Sequence, residues 1–281
     1  MYKDIYFKRF LKFATFISFA IVFLIILFMA KESFLFFKDY SFFDFILGDK
    51  WRPNYNKFGA FNIIIGTLYI AFLGVFIALP IGFGFSIFLC FFVPKKIKDF
   101  LNFLVLFLAS IPSVVYGFLG LSILVKGFEV LGKSSGESVL AGGIILSIMV
   151  LPFIINVNTQ TIEILKNKYE KSSNALGVDK FYFIQRIIIR NSLKGIFVGI
   201  ILSLGRAIGE TMAVMMVIGN AHIFPNLFGK SSTISSTIAL EMGMVEVNST
   251  HYQALFAMGL FLVFMIICIN ILIDFLKKKF I

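Results

Sequence analysis

The chain has few residues that carry charge or bind metals. Only 15% of its 281 residues are charged, whereas about 25% are charged in an ordinary soluble domain. Its two cysteines, Cys90 and Cys268, both lie inside apolar runs. We interpret them as packing residues, because they give no signal for a disulfide or a metal centre. With 59% hydrophobic residues, the composition excludes a soluble protein built around one apolar core, so lipid must act as solvent for part of the chain.

Long apolar runs stand where the charged residues are missing. Each run is long enough to cross the hydrocarbon core, which takes about 20 residues, and none alternates as the strands of a membrane barrel do. We predict an all-α integral membrane protein that forms a single transmembrane domain over residues 1–281. Its six predicted spanning helices cover residues 11–30, 60–93, 100–125, 138–162, 195–220 and 252–273.

The run 60–93 contains Pro80 and could form either one kinked helix or a hairpin of two helices. The distribution of Lys and Arg decides between them, because cytoplasmic loops carry the excess of positive charge. With one helix, the basic stretches on one side hold 17 Lys and Arg residues and the opposite loops hold 8; a hairpin inverts this bias. We therefore predict one helix, with both termini in the cytoplasm. The net charge of +11 then reflects membrane orientation and does not indicate nucleic acid as a partner.

The predicted cytoplasmic loop 163–194 has a helix–glycine–helix pattern. Small side chains at Ser172, Ser173 and Ala175 leave a helix face that another protein can approach closely. Gly177 then ends or bends that helix, as a C-terminal glycine does. We predict that the loop docks onto a cytoplasmic protein; the alternative is an ordinary basic loop.

Arg206 and Glu210 are the only charged residues inside the last five predicted spans. Charge within the membrane is costly, so such residues usually face the interior of the bundle and mark a substrate path or a paired structural site. Their i, i+4 spacing predicts that they share one helix face. A guanidinium group matches phosphate oxygens with a planar, bidentate fork. We predict an anion path here, with an ion pair that only fixes helix packing as the alternative.

The loop 163–194 resembles the coupling motif of ABC importer permeases, E-A-A-x3-G-x9-I-x-L-P. When the two are aligned on Gly177, Lys171 takes the Glu position, Ser172 and Ser173 take the two Ala positions, and Ile187 takes the Ile position. The chain departs from the motif in its acidic residue, which is displaced to Glu170, and at its end, where Ile189 and Arg190 replace the terminal Leu-Pro.

A second stretch makes the resemblance more specific. Residues 205–214 read Gly-Arg-Ala-Ile-Gly-Glu-Thr-Met-Ala-Val, which is similar to the signature of the C-type permease subunit of phosphate-specific (Pst) transporters. The related A-type subunit is expected to diverge after Glu-Thr, so residues 212–214 favour the C-type. The likeness extends from about residue 51 to residue 220 through three further stretches: Trp51–Pro53 with Phe58-Gly59 and Gly66–Leu68, then Ile111–Gly117, then Ile148–Pro152.

The resemblance implies a type I ABC importer permease in the bacterial cytoplasmic (inner) membrane, which imports phosphate and holds no cofactor of its own. The implied partners are a second, A-type permease subunit, a cytoplasmic ATPase dimer that hydrolyses ATP, and an extracytoplasmic phosphate-binding protein. The implied substrate-path residues are Arg206, Glu210 and Thr211. The implied ATPase-coupling residues are Glu170, Lys171, Ser172, Ser173, Ala175 and Gly177.

Two other functions stay open at this point. One is a permease for another oxyanion, sulfate or molybdate, against which only the signature at 205–214 argues. The other is a membrane-embedded enzyme, such as an acyltransferase or an intramembrane hydrolase, which requires a nucleophile–base pair or a metal constellation. The predicted spans hold no histidine and a single carboxylate, which disfavours an enzyme. His222 and His251, at the two ends of the last outer loop, are predicted to be ordinary interfacial residues.

Overall fold

In the computed structural model, which describes residues 2–132 and 135–280, the chain is a bundle of long helices. Within these described residues, six helices have the length and apolar composition needed to cross a membrane. They are Phe7–Asp39, Phe61–Phe91, Ser113–Val130, Val139–Ala175, Lys180–Gly209 and Thr250–Leu272. The structure thus confirms the predicted all-α membrane fold with six spanning helices.

The first third of the chain also contains a small hairpin. The elements here are α1 (Tyr2–Asp39), α2 (Phe42–Leu47), β1 (Trp51–Arg52), β2 (Lys57–Phe58), α3 (Phe61–Phe91) and α4 (Lys95–Ser110). The two strands pair antiparallel, with Trp51 opposite Phe58. Phe58 is fully buried against Phe36 and Phe45, and this aromatic packing fixes the position of Trp51.

The remaining elements form the other four spanning helices and the short helices between them. They are α5 (Ser113–Leu119), a π-helical turn (Gly120–Val125), α6 (Lys126–Val130), α7 (Val139–Ala175), α8 (Lys180–Tyr182), a π-helical turn (Phe183–Ile188), α9 (Ile189–Gly209), α10 (Met212–Met215), α11 (Ile234–Glu241) and α12 (Thr250–Phe280).

α3 and α7 form the centre of the bundle. α3 runs unbroken through Pro80, so the prediction of one helix over 60–93 is confirmed. Small residues bring the two helices together: a Cβ at Gly82 would lie 2.7 Å from Ile154 Cγ2, and one at Gly143 would lie 2.6 Å from Leu73 Cδ2. Close approach at glycine is how membrane helices gain packing contacts when lipid offers no hydrophobic driving force.

The first and last predicted helices, 11–30 and 252–273, are longer in the structure, as α1 (Tyr2–Asp39) and α12 (Thr250–Phe280). Three other predicted helices differ in ways that matter for the site. The helix predicted over 100–125 is two helices, because Pro112 removes a backbone donor and holds Ile111 in an extended conformation between α4 and α5. The helix predicted over 138–162 continues to Ala175. The helix predicted over 195–220 begins earlier and ends at Gly209, and this last difference determines the geometry of the candidate site.

Candidate functional site

The first part of the site is the break that follows α9. Glu210 has an extended backbone (φ −70°, ψ 130°), so Arg206 lies on the last turn of the helix and Glu210 lies beyond it. The prediction that the two residues share one helix face is therefore wrong. Two hydrogen bonds hold Glu210 in this position beyond the helix. Its Oε1 accepts a hydrogen bond from Ala213 N at 3.4 Å, and its carbonyl accepts one from Ser235 Oγ at 2.9 Å.

Arg206 is exposed on the surface of the chain. Its guanidinium carbon lies 4.3 Å from the centre of the Phe153 ring on α7, in a cation–π contact. The ion pairs formed among residues 2–132 and 135–280 do not join Arg206 to Glu210. The ion pair on which the packing alternative depends is therefore not present in the described part of the chain.

A serine- and threonine-rich segment holds this break in place. Thr67 Oγ1 on α3 accepts a hydrogen bond from Ile234 N, at the start of α11, at 2.9 Å. Beside it, a Cβ at Gly66 would lie 2.3 Å from the carbonyl oxygen of Ser232, so only glycine permits this approach. α11 then contacts the break through Ser235. Within the break, Thr211 Oγ1 donates a hydrogen bond to Gly209 O at 3.3 Å. The Gly66-Thr67 pair of the sequence signature is thus a docking point for α11.

At its other end, α11 carries a hydrogen-bond cluster that the sequence did not predict. Glu241 accepts hydrogen bonds from Trp51 Nε1 (2.9 Å), His251 Nε2 (2.7 Å) and His222 Nε2 (3.1 Å). His222 Nδ1 lies 3.0 Å from Ser232 Oγ. Because a carboxylate only accepts, both imidazoles donate through Nε2. The two histidines predicted to be ordinary interfacial residues are therefore partners of one carboxylate.

The cluster sets the charge state of Glu241. Burial alone would raise the pKa of the carboxyl, but hydrogen bonds from His222, Trp51 and His251 outweigh it and hold the pKa below its usual value. Within residues 2–132 and 135–280, no group of three or more His, Cys, Asp or Glu side chains is arranged to hold a metal ion. The cluster is a hydrogen-bond network that joins the β1–β2 hairpin, the loop after α10, α11 and α12.

The predicted coupling element lies at the far end of α7. Gly177 has a positive φ of 67°, and the backbone N–H groups of Gly177 and Val178 bond to the carbonyls of Asn174 and Ser173 at 3.1 Å each. This is a Schellman ending, which favours glycine at this position. The prediction that Gly177 separates two helices is confirmed, although the preceding helix is the end of the long α7 and not a short separate one. Leu176 at the tip is 81% exposed.

Two lysines tie this element to the end of α3. Lys166 Nζ donates to Cys90 O at 2.8 Å, and Lys180 Nζ donates to Phe91 O at 2.7 Å. These carbonyls belong to the last residues of α3, where the helix dipole favours a cation. Glu170 pairs with Lys166 at 3.6 Å. The end of α7, Gly177 and α8 together form what we call the coupling hairpin. The coupling hairpin and the end of α3 therefore lie at the same end of the bundle and are held together.

The other predicted coupling residues fall into two groups. Ser173 is buried, whereas Lys171 and Ser172 are exposed. Ala175 is the last residue of α7.

The Arg206 region and the coupling hairpin lie far apart along α7. From Phe153 to Ala175, α7 rises about 33 Å at 1.5 Å per residue, so the two regions lie at well-separated levels of the same helix.

A charged residue at a helix break within an apolar bundle, together with an exposed hairpin at one end, is typical of membrane transport permeases. A family model described as "binding-protein-dependent transport system inner membrane component" matches residues 78–281. The chain belongs to this family.

Curated relatives agree with the family and with the resemblance to C-type phosphate permeases. The phosphate transport system permease protein PstC of Mesorhizobium japonicum is 35% identical over 78% of this chain and 73% of its own length. The probable phosphate transport system permease protein PstC of Methanocaldococcus jannaschii is 31% identical over 84% of this chain and 82% of its own length. A probable ABC transporter permease protein of Bacillus subtilis, YqgH, is 34% identical over 84% of this chain and 78% of its own length.

Solved structures show the same fold. A chain of an inward-facing conformation of the MetNI methionine ABC transporter superposes with a TM-score of 0.59, covering 76% of this chain and 92% of its own, at 17% sequence identity. A second crystal form of that transporter gives a TM-score of 0.60 at 16% identity. These likenesses confirm the predicted ABC importer permease architecture.

Proposed function

We infer that this chain is the C-type permease subunit of an ATP-driven phosphate importer. The observation that carries the proposal is Arg206, an arginine that stays exposed on a membrane-spanning helix, over Phe153, at the point where the helix ends. A lipid-facing arginine is costly, so this face must line a path or contact another subunit. The relatives named as phosphate transport permeases support phosphate as the transported anion. A guanidinium group binds phosphate oxygens through two parallel hydrogen bonds.

The path runs along the face of α9 and α7 that carries Arg206 and is completed by a second permease subunit of the A-type. Arg206 lowers the barrier for a partly dehydrated phosphate by offering positive charge and several N–H donors. Glu210 and Thr211 act in the break beyond it. Because the Glu210 carboxylate bonds to the start of α10, its negative charge stays close to the path and limits how tightly phosphate is held.

The coupling hairpin contacts a cytoplasmic ATPase dimer, and this chain hydrolyses no ATP itself. Leu176, Phe181 and Tyr182 are exposed apolar or aromatic side chains at the tip of the hairpin, as expected for residues that enter a groove of a partner. Lys166 and Lys180 connect the hairpin to α3, and α7 connects it to the Arg206 region. Movement of the ATPase is thereby transmitted into the bundle.

This arrangement also orients the chain in the membrane. With the hairpin in the cytoplasm, both termini are cytoplasmic and the Glu241 cluster faces outward, where an extracytoplasmic phosphate-binding protein delivers the anion. The 17 to 8 distribution of Lys and Arg supports the same orientation.

Uptake of labelled phosphate tests the proposal. Cells that lack this gene but retain the partner subunits are complemented with the wild-type gene, and uptake is measured with and without excess sulfate or molybdate. We expect complementation to restore phosphate uptake, and we expect the other two oxyanions not to compete. Uptake of sulfate or molybdate in place of phosphate would assign the chain to the alternative oxyanion permeases.

A further inference from the structure

The exposed side chains of α7 differ from those of the other central helix. Between Val139 and Glu163, three side chains of α7 are exposed: Ile148, Asn156 and Gln160. Two of the three are amides, although this is the most buried of the spanning helices. α3, in contrast, exposes Phe72, Phe76, Phe88 and other residues without amide or charge, as a lipid-facing surface requires.

The two amides lie in line with Arg206. Phe153, which contacts Arg206, is followed at i+3 and i+7 by Asn156 and Gln160, so the three side chains share one face of α7. The amides lie about 4.5 Å and about 10.5 Å further along the helix axis. Since α7 ends at the coupling hairpin, they lie between Arg206 and the end of the bundle that carries this hairpin.

An amide on this face is costly if lipid covers it and useful if an oxyanion passes it. Burying an amide in hydrocarbon without a hydrogen-bond partner is unfavourable. A primary amide offers two N–H donors and a carbonyl acceptor, whereas phosphate in its ionised forms near neutral pH carries both acceptor oxygens and a P–OH donor. Neutral amides can therefore solvate phosphate without the strong attraction that would hold it in place.

We propose that Asn156 and Gln160 form an uncharged continuation of the oxyanion path between Arg206 and the coupling end of the bundle. The proposal rests on the function proposed above. Phosphate leaves the guanidinium of Arg206 for uncharged donors, first Asn156 and then Gln160. At each step the new amide forms hydrogen bonds with phosphate as the earlier hydrogen bonds break. Glycines at positions 195 and 199 of α9 oppose Thr161 and Val157, which keeps α9 close to α7 beside this face.

Thiol labelling of the assembled transporter in nanodiscs tests whether water reaches the face of α7 that carries Asn156 and Gln160. Asn156→Cys and Gln160→Cys are made with Cys268→Ser, which removes the exposed native thiol and leaves the buried Cys90. The control is Phe76→Cys, a position on α3 that is 77% exposed. We expect a charged thiosulfonate reagent to modify positions 156 and 160 at least about tenfold faster than position 76, and phosphate to slow the reaction. Rates no faster than that at position 76 would overturn the proposal.

Uptake per assembled complex is the second measurement. Asn156→Leu with Gln160→Met keeps side-chain size and removes both amides, and Asn156→Gln keeps one amide in a longer side chain. The matched control is Asn270→Leu, an exposed amide near the end of the apolar stretch of α12. We expect the double variant to assemble but to lose at least about tenfold in uptake, the effect of removing hydrogen bonds to a charged group, while the control Asn270→Leu transports normally or nearly so. Asn156→Gln, which keeps an amide at this position, should retain more uptake than the double variant.

Each outcome has a distinct meaning. Normal phosphate uptake by an assembled double variant would overturn the role of the amides and leave the phosphate permease intact. A wild-type complex that carries no phosphate would overturn both proposals together.

Discussion

Replacing Glu241 by Gln tests whether the cluster at the end of α11 stabilises the fold. Three N–H donors converge on the carboxylate, from Trp51, His222 and His251. Glutamine keeps the shape but offers one acceptor oxygen and places an NH₂ group against N–H donors. Hydrogen bonds to a charged group contribute about 1.5–3 kcal/mol each and neutral ones about 0.5–1.5 kcal/mol. If two of these hydrogen bonds are weakened from charged to neutral strength and the third is lost, the cost is about 4 kcal/mol.

Partial exposure to water lowers this cost in the free energy of unfolding. The Glu241 side chain is 22% exposed, so water satisfies part of what the amide cannot, and we expect a loss of about 2 kcal/mol in the free energy of unfolding. In thermal unfolding of the purified protein this corresponds to a midpoint lower by about 5 °C. Glu246→Gln, an exposed carboxylate in the next loop, is the control and should change nothing.

The dependence on pH has a defined sign. Because the folded state holds the pKa of Glu241 below its ordinary value of 4.5, the stabilisation is complete above that pH and is lost as the pH falls through the lowered pKa. The gap between the wild type and Glu241→Gln should therefore persist from pH 7 to about pH 5 and close in stronger acid. A variant as stable as the wild type at pH 7, or a gap that widens below about pH 4, would refute the reasoning.

Three further predictions concern the coupling hairpin, the docking of α11 and the topology. Gly177→Leu forces a side chain onto a backbone φ of 67°, which costs about 1–2 kcal/mol. Membrane insertion should be normal but ATPase binding or transport should be weaker. Normal ATPase binding together with normal transport would contradict the assignment of Gly177 to the coupling hairpin. Gly66→Val would bring a side chain against the Ser232 carbonyl, 2.3 Å from a Cβ, so the yield of folded protein should fall sharply in detergent chromatography, whereas full yield would disprove the close approach. Reporter fusions at residues 96 and 180 should both lie in the cytoplasm, and an external reporter at residue 96 would contradict the predicted topology.

The sequence was sufficient for features that depend on local pattern. Apolar runs located the six membrane helices, charge bias identified α3 as one helix in spite of Pro80, and Gly177 indicated a helix end that its φ of 67° explains. The resemblance at 205–214 found the family because it compares a whole stretch of residues at once.

The features that the sequence could not show depend on distant residues. Nothing near Gly209 indicates that α9 ends there, because part of the stabilisation of the break comes from Ser235, which is 25 residues beyond Glu210. Trp51 and Glu241 are separated by 190 residues, so no local spacing could bring them together. The available signal was two histidines on either side of Glu241 and Glu246, with a tryptophan in the loop before the second span, and this combination is too common to be interpreted alone.

The sequence also could not predict which individual side chains are exposed. Asn156 and Gln160 lie on a helix that is largely buried, and a hydropathy window averages them with their apolar neighbours. Which face of α7 remains uncovered depends on how α3 and α9 pack against it. Only the folded chain shows that Arg206 contacts Phe153, on the face of α7 that also carries the two amides.

Phosphate uptake by the Arg206→Gln transporter tests the central claim most directly. Wild-type and variant complexes with their partner subunits are reconstituted in vesicles, and uptake of labelled phosphate is normalised to assembled complex and compared with ATPase activity. We expect Arg206→Gln to assemble and hydrolyse ATP but to lose phosphate uptake. The charge-swapped Arg206→Glu, Glu210→Arg variant should not recover it, since none of the ion pairs among the described residues joins these two side chains. A fully assembled Arg206→Gln complex with normal phosphate uptake would contradict the central claim.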